Sequence, residues 1–128
     1  MIQEAYVSFE TAKLLKEKGF DEKTLMVYMS YGDLCKCNRS DSIRNSNYND
    51  ITKNYFECTA PTHQMTMKWL REVHNIDICV FPYQSDYISY SYKVKIYKNK
   101  EIYLTITDSK TYEDAVEAAL KYCLQNLI

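Results

Sequence analysis

The segment YISYSYKVKIYKNKEIYLTIT, Tyr87 to Thr107, alternates apolar and polar side chains on both sides of the break Lys98-Asn99-Lys100. A period of two marks a strand with one buried and one solvated face, so the segment reads as an antiparallel hairpin. One face gathers Ile88, Tyr90, Tyr92, Val94 and Ile96, then Ile102, Leu104 and Ile106. The other gathers Tyr87, Ser89, Ser91, Lys93, Lys95 and Tyr97, then Tyr103 and Thr105. Loop length decides which faces meet. A two-residue turn at Asn99-Lys100 sets Ile96 opposite Tyr103 and mixes the faces. A three-residue loop, or an equivalent bulge, sets Ile96 opposite Ile102 and Val94 opposite Leu104 and keeps the apolar face whole.

On the C-terminal side, TYEDAVEAALKYCLQNLI (Thr111–Ile128) changes period. Tyr112, Ala115, Val116, Ala119, Leu120, Cys123, Leu124 and Leu127 form one helical stripe. Thr111 and Asp114 have capping-box spacing. On the N-terminal side, Ile76–Phe81 (IDICVF) reads as a strand and Pro82–Asp86 as a loop. Before it, TAPTHQMTMKWLREVHN (Thr59–Asn75) reads as a helix from about Ala60 to His74, with Thr59 as N-cap and Pro61 in the first turn. At 100° per residue, Met65, Trp69, Leu70, Val73 and Ile76 fall on a core-facing arc, with Gln64, Lys68, Arg71 and Glu72 opposite.

Near the start, Ser8–Phe20 (SFETAKLLKEKGF) predicts a short helix capped by Ser8. Val7 is placed to staple onto Ala12, and Gly19 to take the left-handed position of a Schellman ending. Thr24–Tyr31 and Tyr55–Cys58 read as strands that pair. Between them a polar stretch at about 32–54 is too long for an ordinary connection, and such loops are usually functional or mobile. The sum is a single α+β domain: a mainly antiparallel sheet of about five strands with three helices mostly on one face, ordered α-β-β-α-β-β-β-α.

Composition narrows the function. The chain has 128 residues, enough for one core and too few for two. Its net charge of −1 supplies no bulk attraction to nucleic acid or an anionic membrane. Two isolated glycines exclude phosphate-binding glycine loops. No apolar run spans a bilayer, and the first residues lack a signal-peptide pattern, so no membrane partner and a cytoplasmic location are expected. The odd count of five cysteines suits reduced thiols. No motif of hydrolase, metalloprotease or paired-carboxylate type occurs, so a non-enzymatic protein is expected.

Three groups of residues are candidates. Lys93, Lys95, Lys98 and Lys100, flanked by Tyr87, Tyr97 and Tyr103, make a basic aromatic face. Rings beside ammonium groups suit a nucleotide ligand or a short nucleic acid; lysines on exposed strands also simply block aggregation. Cys35, Cys37, Cys58 and His63 supply four potential zinc ligands, and zinc is the only cofactor the residues suggest, although the Cys35–Cys37 spacing departs from common zinc motifs. Lys68, Arg71 and His74 lie on the middle helix as contacts for a partner. The two histidines, eleven residues apart, lie about 16 Å from each other along that helix and cannot share a metal ion from it.

Three segments, SFETAKLLKEKGF, APTHQMTMKWLREVHNIDI and TYEDAVEAALKYCLQNLI, resemble a group of small proteins of gut Bacteroidales and of their phages and prophages. The resemblance covers about half of the chain and centres on Trp69–His74. It implies an accessory protein of a mobile element in a bacterial cytoplasm, and it transfers no activity or site residue. Thirteen tyrosines and a long polar loop then favour a binding protein whose partner is a host or phage protein, or a second copy of itself.

Overall fold

The computed structural model describes residues 1–37, 43–46, 56–85 and 88–128. The chain is α+β, in the order α1 (Phe9–Glu17), β1 (Met26–Met29), β2 (Leu34–Lys36), β3 (Phe56–Thr59), α2 (His63–His74), β4 (Ile76–Ser85), β5 (Ile88–Lys98), β6 (Glu101–Ser109) and α3 (Tyr112–Asn126). It divides into two compact units, Met1–Thr62 and His63–Ile128. Each holds a three-stranded antiparallel sheet, β2-β1-β3 in the first and β4-β5-β6 in the second. The expected order of elements holds, with β2 added inside the polar stretch and the strands shared between two sheets.

In the first unit, α1 begins and ends as its sequence dictates. The Ser8 hydroxyl accepts from the Thr11 amide at 3.2 Å. At the other end Gly19 sits at φ 92°, and the Phe20 amide folds back to the Leu15 carbonyl at 2.9 Å. That is the Schellman bond, and a side chain at position 19 would strain it. Val7, Ala12, Leu15 and Phe20 are buried.

The sheet of this unit has two different faces. Tyr28 and Cys58 share one. Here the Tyr28 hydroxyl donates to the Val7 carbonyl at 2.5 Å, and its ring lies 5.3 Å from Phe9. The opposite face packs Val27, Cys37 and Ile43, with Met29, Cys35 and Phe56 against them. Phe56 reaches that face because a bulge breaks the β1–β3 register after Tyr28. The Lys16 ammonium donates to the Glu57 carbonyl in the bulge at 2.7 Å.

The described part of the long polar stretch is pinned down. Ile43 bridges to Thr24 and is 4% exposed. Asn45 donates from Nδ2 to the Phe20 carbonyl at 2.7 Å, and its Oδ1 accepts from the Thr59 amide at 2.9 Å. One buried amide thus satisfies two backbone groups that no strand partner reaches. Residues 38–42 and 47–55 of that stretch lie outside the described residues.

In the second unit, α2 and α3 pack on one face of β4-β5-β6. Thr111 caps α3 by accepting from the Asp114 amide at 3.0 Å. Ala115, Val116, Ala119, Leu120, Cys123 and Leu124 are fully buried, the stripe read from the sequence. Each buried leucine contributes roughly 1.5–3 kcal/mol.

The start of α2 differs from expectation. It begins at His63, while Thr59 is the last residue of β3 and pairs with Val27. Pro61 disfavours a helical Ala60, which keeps the chain extended up to the helix. The packing stripe is rotated as well. His63, Thr66, Met67, Trp69 and Leu70 are buried, whereas Met65 and Val73 are 38% and 59% exposed.

The hairpin closes by the two-residue turn, with a bulge restoring the faces. Asn99 and Lys100 both have positive φ, 53° and 68°, and Lys98 pairs with Glu101. These signs are those of a type I′ turn. The register then shifts between Ile96 and Tyr97, so that Tyr97 faces Ile102 but Ile96 faces Leu104 and Val94 faces Ile106. The apolar pairs are kept, two residues further along β6 than a three-residue loop sets them. Ile102 is thereby turned to the Tyr97 side and is 64% exposed.

Candidate functional site

The outer face of β4-β5-β6, opposite α2 and α3, collects the side chains best suited to bind something. The register pairs Asp77 with Tyr97, Cys79 with Lys95, Phe81 with Lys93 and Tyr83 with Ser91. Val94 and Ile96 alternate with these lysines and are fully buried on the helix side. Lys93, Lys95, Phe81 and Tyr97 are half-buried, while Cys79, Tyr83 and Ile102 are exposed. Strand alternation alone forces this sorting.

Each lysine leans across to a ring on β4. The Lys93 ammonium lies 3.6 Å from the centroid of Tyr83, and that of Lys95 lies 5.6 Å from Phe81. Both distances fall within cation–π range. The rings therefore present their π-faces to a cation above the sheet. Sequence reading missed Phe81 and Tyr83 as members of this face, because Pro82 was read as ending the strand. Pro82 instead sits within β4, paired opposite Tyr92. An edge strand tolerates the missing amide. The signal was present: Asp77, Cys79, Phe81 and Tyr83 keep a period of two through the proline.

Other members of the expected patch separate. Lys98 belongs to the helix side and donates to the Leu127 carbonyl at 3.0 Å. Lys100 is in the turn, and Tyr103, 54% exposed, is the extra residue of the bulge. Tyr87 lies outside the described residues.

The four potential zinc ligands are not assembled. Cys35 pairs with Val27 and packs with Cys37 in the cluster around Ile43, whereas Cys58 pairs with Tyr28 on the opposite face of the same sheet. Burial, with the neighbouring Glu57 carboxylate, pushes the Cys58 thiol up to about 12. His63, in the second unit, has its Nε2 3.1 Å from Glu117 Oε1, joining α2 to α3. Among the described residues no group of three or more His, Cys, Asp or Glu side chains is placed to hold a metal ion.

On α2, Lys68 and Arg71 are exposed, and Lys68 stands 3.9 Å from Glu72. His74 is not the open contact expected. Its ring packs edge-on to Trp69, with centroids 4.7 Å apart, and its Nε2 is shut from solvent without a hydrogen-bond partner. Burial, with the Lys98 ammonium adding, holds it below the ordinary imidazole range.

The first unit has a cleft of about 220 Å³ lined by Lys16, Gly19, Phe20, Asp21, Asn45 and Ser46. Its polar groups are engaged with backbone: Lys16 with Glu57, Asn45 with Phe20 and Thr59, and Asp21 with the Ser46 amide at 2.7 Å. It is a structural joint.

Comparison with protein-family models, with curated proteins and with solved structures finds no match for this chain. Among the described residues no helix is long and apolar enough to cross a membrane.

Proposed function

We propose that this is a non-enzymatic binding protein whose working surface is the outer face of β4-β5-β6. The observation that carries the reading is the set of π-faces at Phe81 and Tyr83, displayed under Lys95 and Lys93 on a sheet whose other side is covered by helices. Aromatic rings are enriched where proteins make contacts, and here they are displayed instead of packed. The resemblance of Trp69–His74 to proteins of Bacteroidales phages and prophages supports a setting in a bacterial cytoplasm, as an accessory of a mobile element.

A second reading, contact with a host or phage protein or a second copy, draws on Ile102 and Tyr103 at the hairpin end of the sheet, both more than half exposed. An apolar anchor there suits a protein partner.

A photo-crosslinking residue tests the surface. Placed at Tyr83 it is expected to capture ligand from lysate, whereas at Gln125, on the exposed side of α3, it captures none. Equal capture from both positions, or capture from Gln125 alone, overturns the assignment.

A further inference from the structure

We infer that the ligand of the outer face is single-stranded nucleic acid, with bases stacking on Tyr83 and Phe81 while Lys93 and Lys95 move from those rings to the phosphates. The inference rests on the outer face being the working surface, and it names the chemistry that face accepts.

Three observations point to it. First, both rings belong to one strand and one face, two residues apart. Their spacing along β4 is about 6.7 Å, a distance that neighbouring nucleotides of an extended strand span. Second, each ring holds a lysine against its π-face and Tyr83 is itself 40% exposed, so a base that displaces the lysine meets a ring face on the outer side of the sheet. Third, the central charges that β4 and β5 place on this face are Lys93 and Lys95, and among the described side chains of those two strands on this face the one carboxylate is Asp77, nearer the hairpin end. That local excess matches a polyanion although the whole chain carries −1. A face built for an apolar peptide would centre on leucine or isoleucine; here the centre is lysine and aromatic, and Ile102 lies at the margin.

Exchange of partners is favourable. An exposed cation–π contact holds a lysine by a factor of about two to five in equilibrium, and a stacked base gains about five- to a hundredfold. The released ammonium then meets a phosphate, so the charge is reused. Two phosphate contacts predict a salt slope of about −1.4 in log K against log salt for a single strand.

Fluorescence anisotropy with a labelled oligothymidylate of about 12 nucleotides, within the ~4–16 that one such surface engages, tests the idea on the full chain. Expected are saturable binding with the slope above, binding to the matching duplex at least about tenfold weaker because its bases are stacked away, and weaker binding still of poly-glutamate. Tyr83→Leu lowers affinity about tenfold or more, Tyr83→Phe retains it within about twofold, and Lys93→Glu flattens the slope by about 0.7. Cooperative melting within about 5 °C of the parent, the shift that loss of the cation–π contact allows, confirms that the variants fold. No binding to the single strand, or duplex or poly-glutamate binding as tight, overturns the inference. If crosslinks from Tyr83 at the same time capture a protein, the surface stands and only its ligand class is replaced.

Discussion

The ammonium group of Lys93 lies 3.6 Å from the centroid of the Tyr83 ring, although the residue directly opposite Lys93 is Phe81. The diagonal reach follows from the geometry of antiparallel pairs, in which a long side chain touches its neighbour two positions along. A double-mutant cycle with Lys93→Met and Tyr83→Leu, read by urea unfolding without ligand, is expected to show a coupling of about 0.5–1 kcal/mol. A coupling of zero contradicts the contact.

Asn45 carries more of the stability than its place in a polar stretch suggests. Its amide satisfies both the Phe20 carbonyl and the Thr59 amide at a position only 6% exposed. Replacing it by alanine strands two buried backbone groups, at about 1–3 kcal/mol each. Asn45→Ala is therefore expected to lose about 2–6 kcal/mol in chemical denaturation. Asn126→Ala, which removes an exposed bond to the Tyr122 carbonyl, serves as the control and should lose no more than about 0.5 kcal/mol.

The hairpin turn stores strain at Lys100, whose φ of 68° is one that side chains avoid. The second position of a type I′ turn favours glycine. Lys100→Gly is expected to raise stability by about 1 kcal/mol, because a left-handed non-glycine residue costs roughly 1–2 kcal/mol and the greater unfolded-state entropy of glycine offsets only part of that gain. A lower melting temperature for this variant would count against the two-residue turn.

The thiols predict a pH dependence. Burial raises Cys58 and Cys123 from 9.0 to about 12. A group whose folded value is raised gives stability that is full below its unfolded value and lost as pH climbs toward the folded one. Stability should hold up to pH 9 and fall between pH 9 and 12, by up to ~1.4 kcal/mol per pH unit for each thiol. Cys58→Ala with Cys123→Ala should flatten that limb, whatever its effect at neutral pH. At pH 8 a thiol reagent should modify exposed Cys79 first and reach Cys58 and Cys123 only through unfolding.

Much of this structure was legible because it is written locally. The Ser8 cap, the Gly19 ending, the stripe of α3 and the alternation around Val94 and Ile96 each need only neighbours in sequence. What escaped depends on partners far along the chain. The pairing of β1 with β3 is legible, but not that this pair belongs to a sheet apart from β4-β5-β6, and no periodicity encodes that separation. β2 is three residues long, too short for alternation to show. The rotation of α2 exposes Met65 and buries His63 beside Glu117, a partner 54 residues away. Of the site, Lys93, Lys95 and Tyr97 were found by alternation, whereas Phe81 and Tyr83 were hidden behind Pro82, and Lys98 went to the other face once its partner proved to be Ile76.

Replacement of Lys93 by a base on the Tyr83 ring is open to one direct measurement. The ε-methylene protons of Lys93 lie in the shielding cone of the Tyr83 ring and should resonate upfield of an ordinary lysine in the free protein. Titrating in oligothymidylate should move these resonances back toward ordinary lysine values, in step with the binding isotherm and together with amide shifts along β4 and β5. Upfield resonances that stay unchanged while the oligonucleotide saturates the protein would contradict the account.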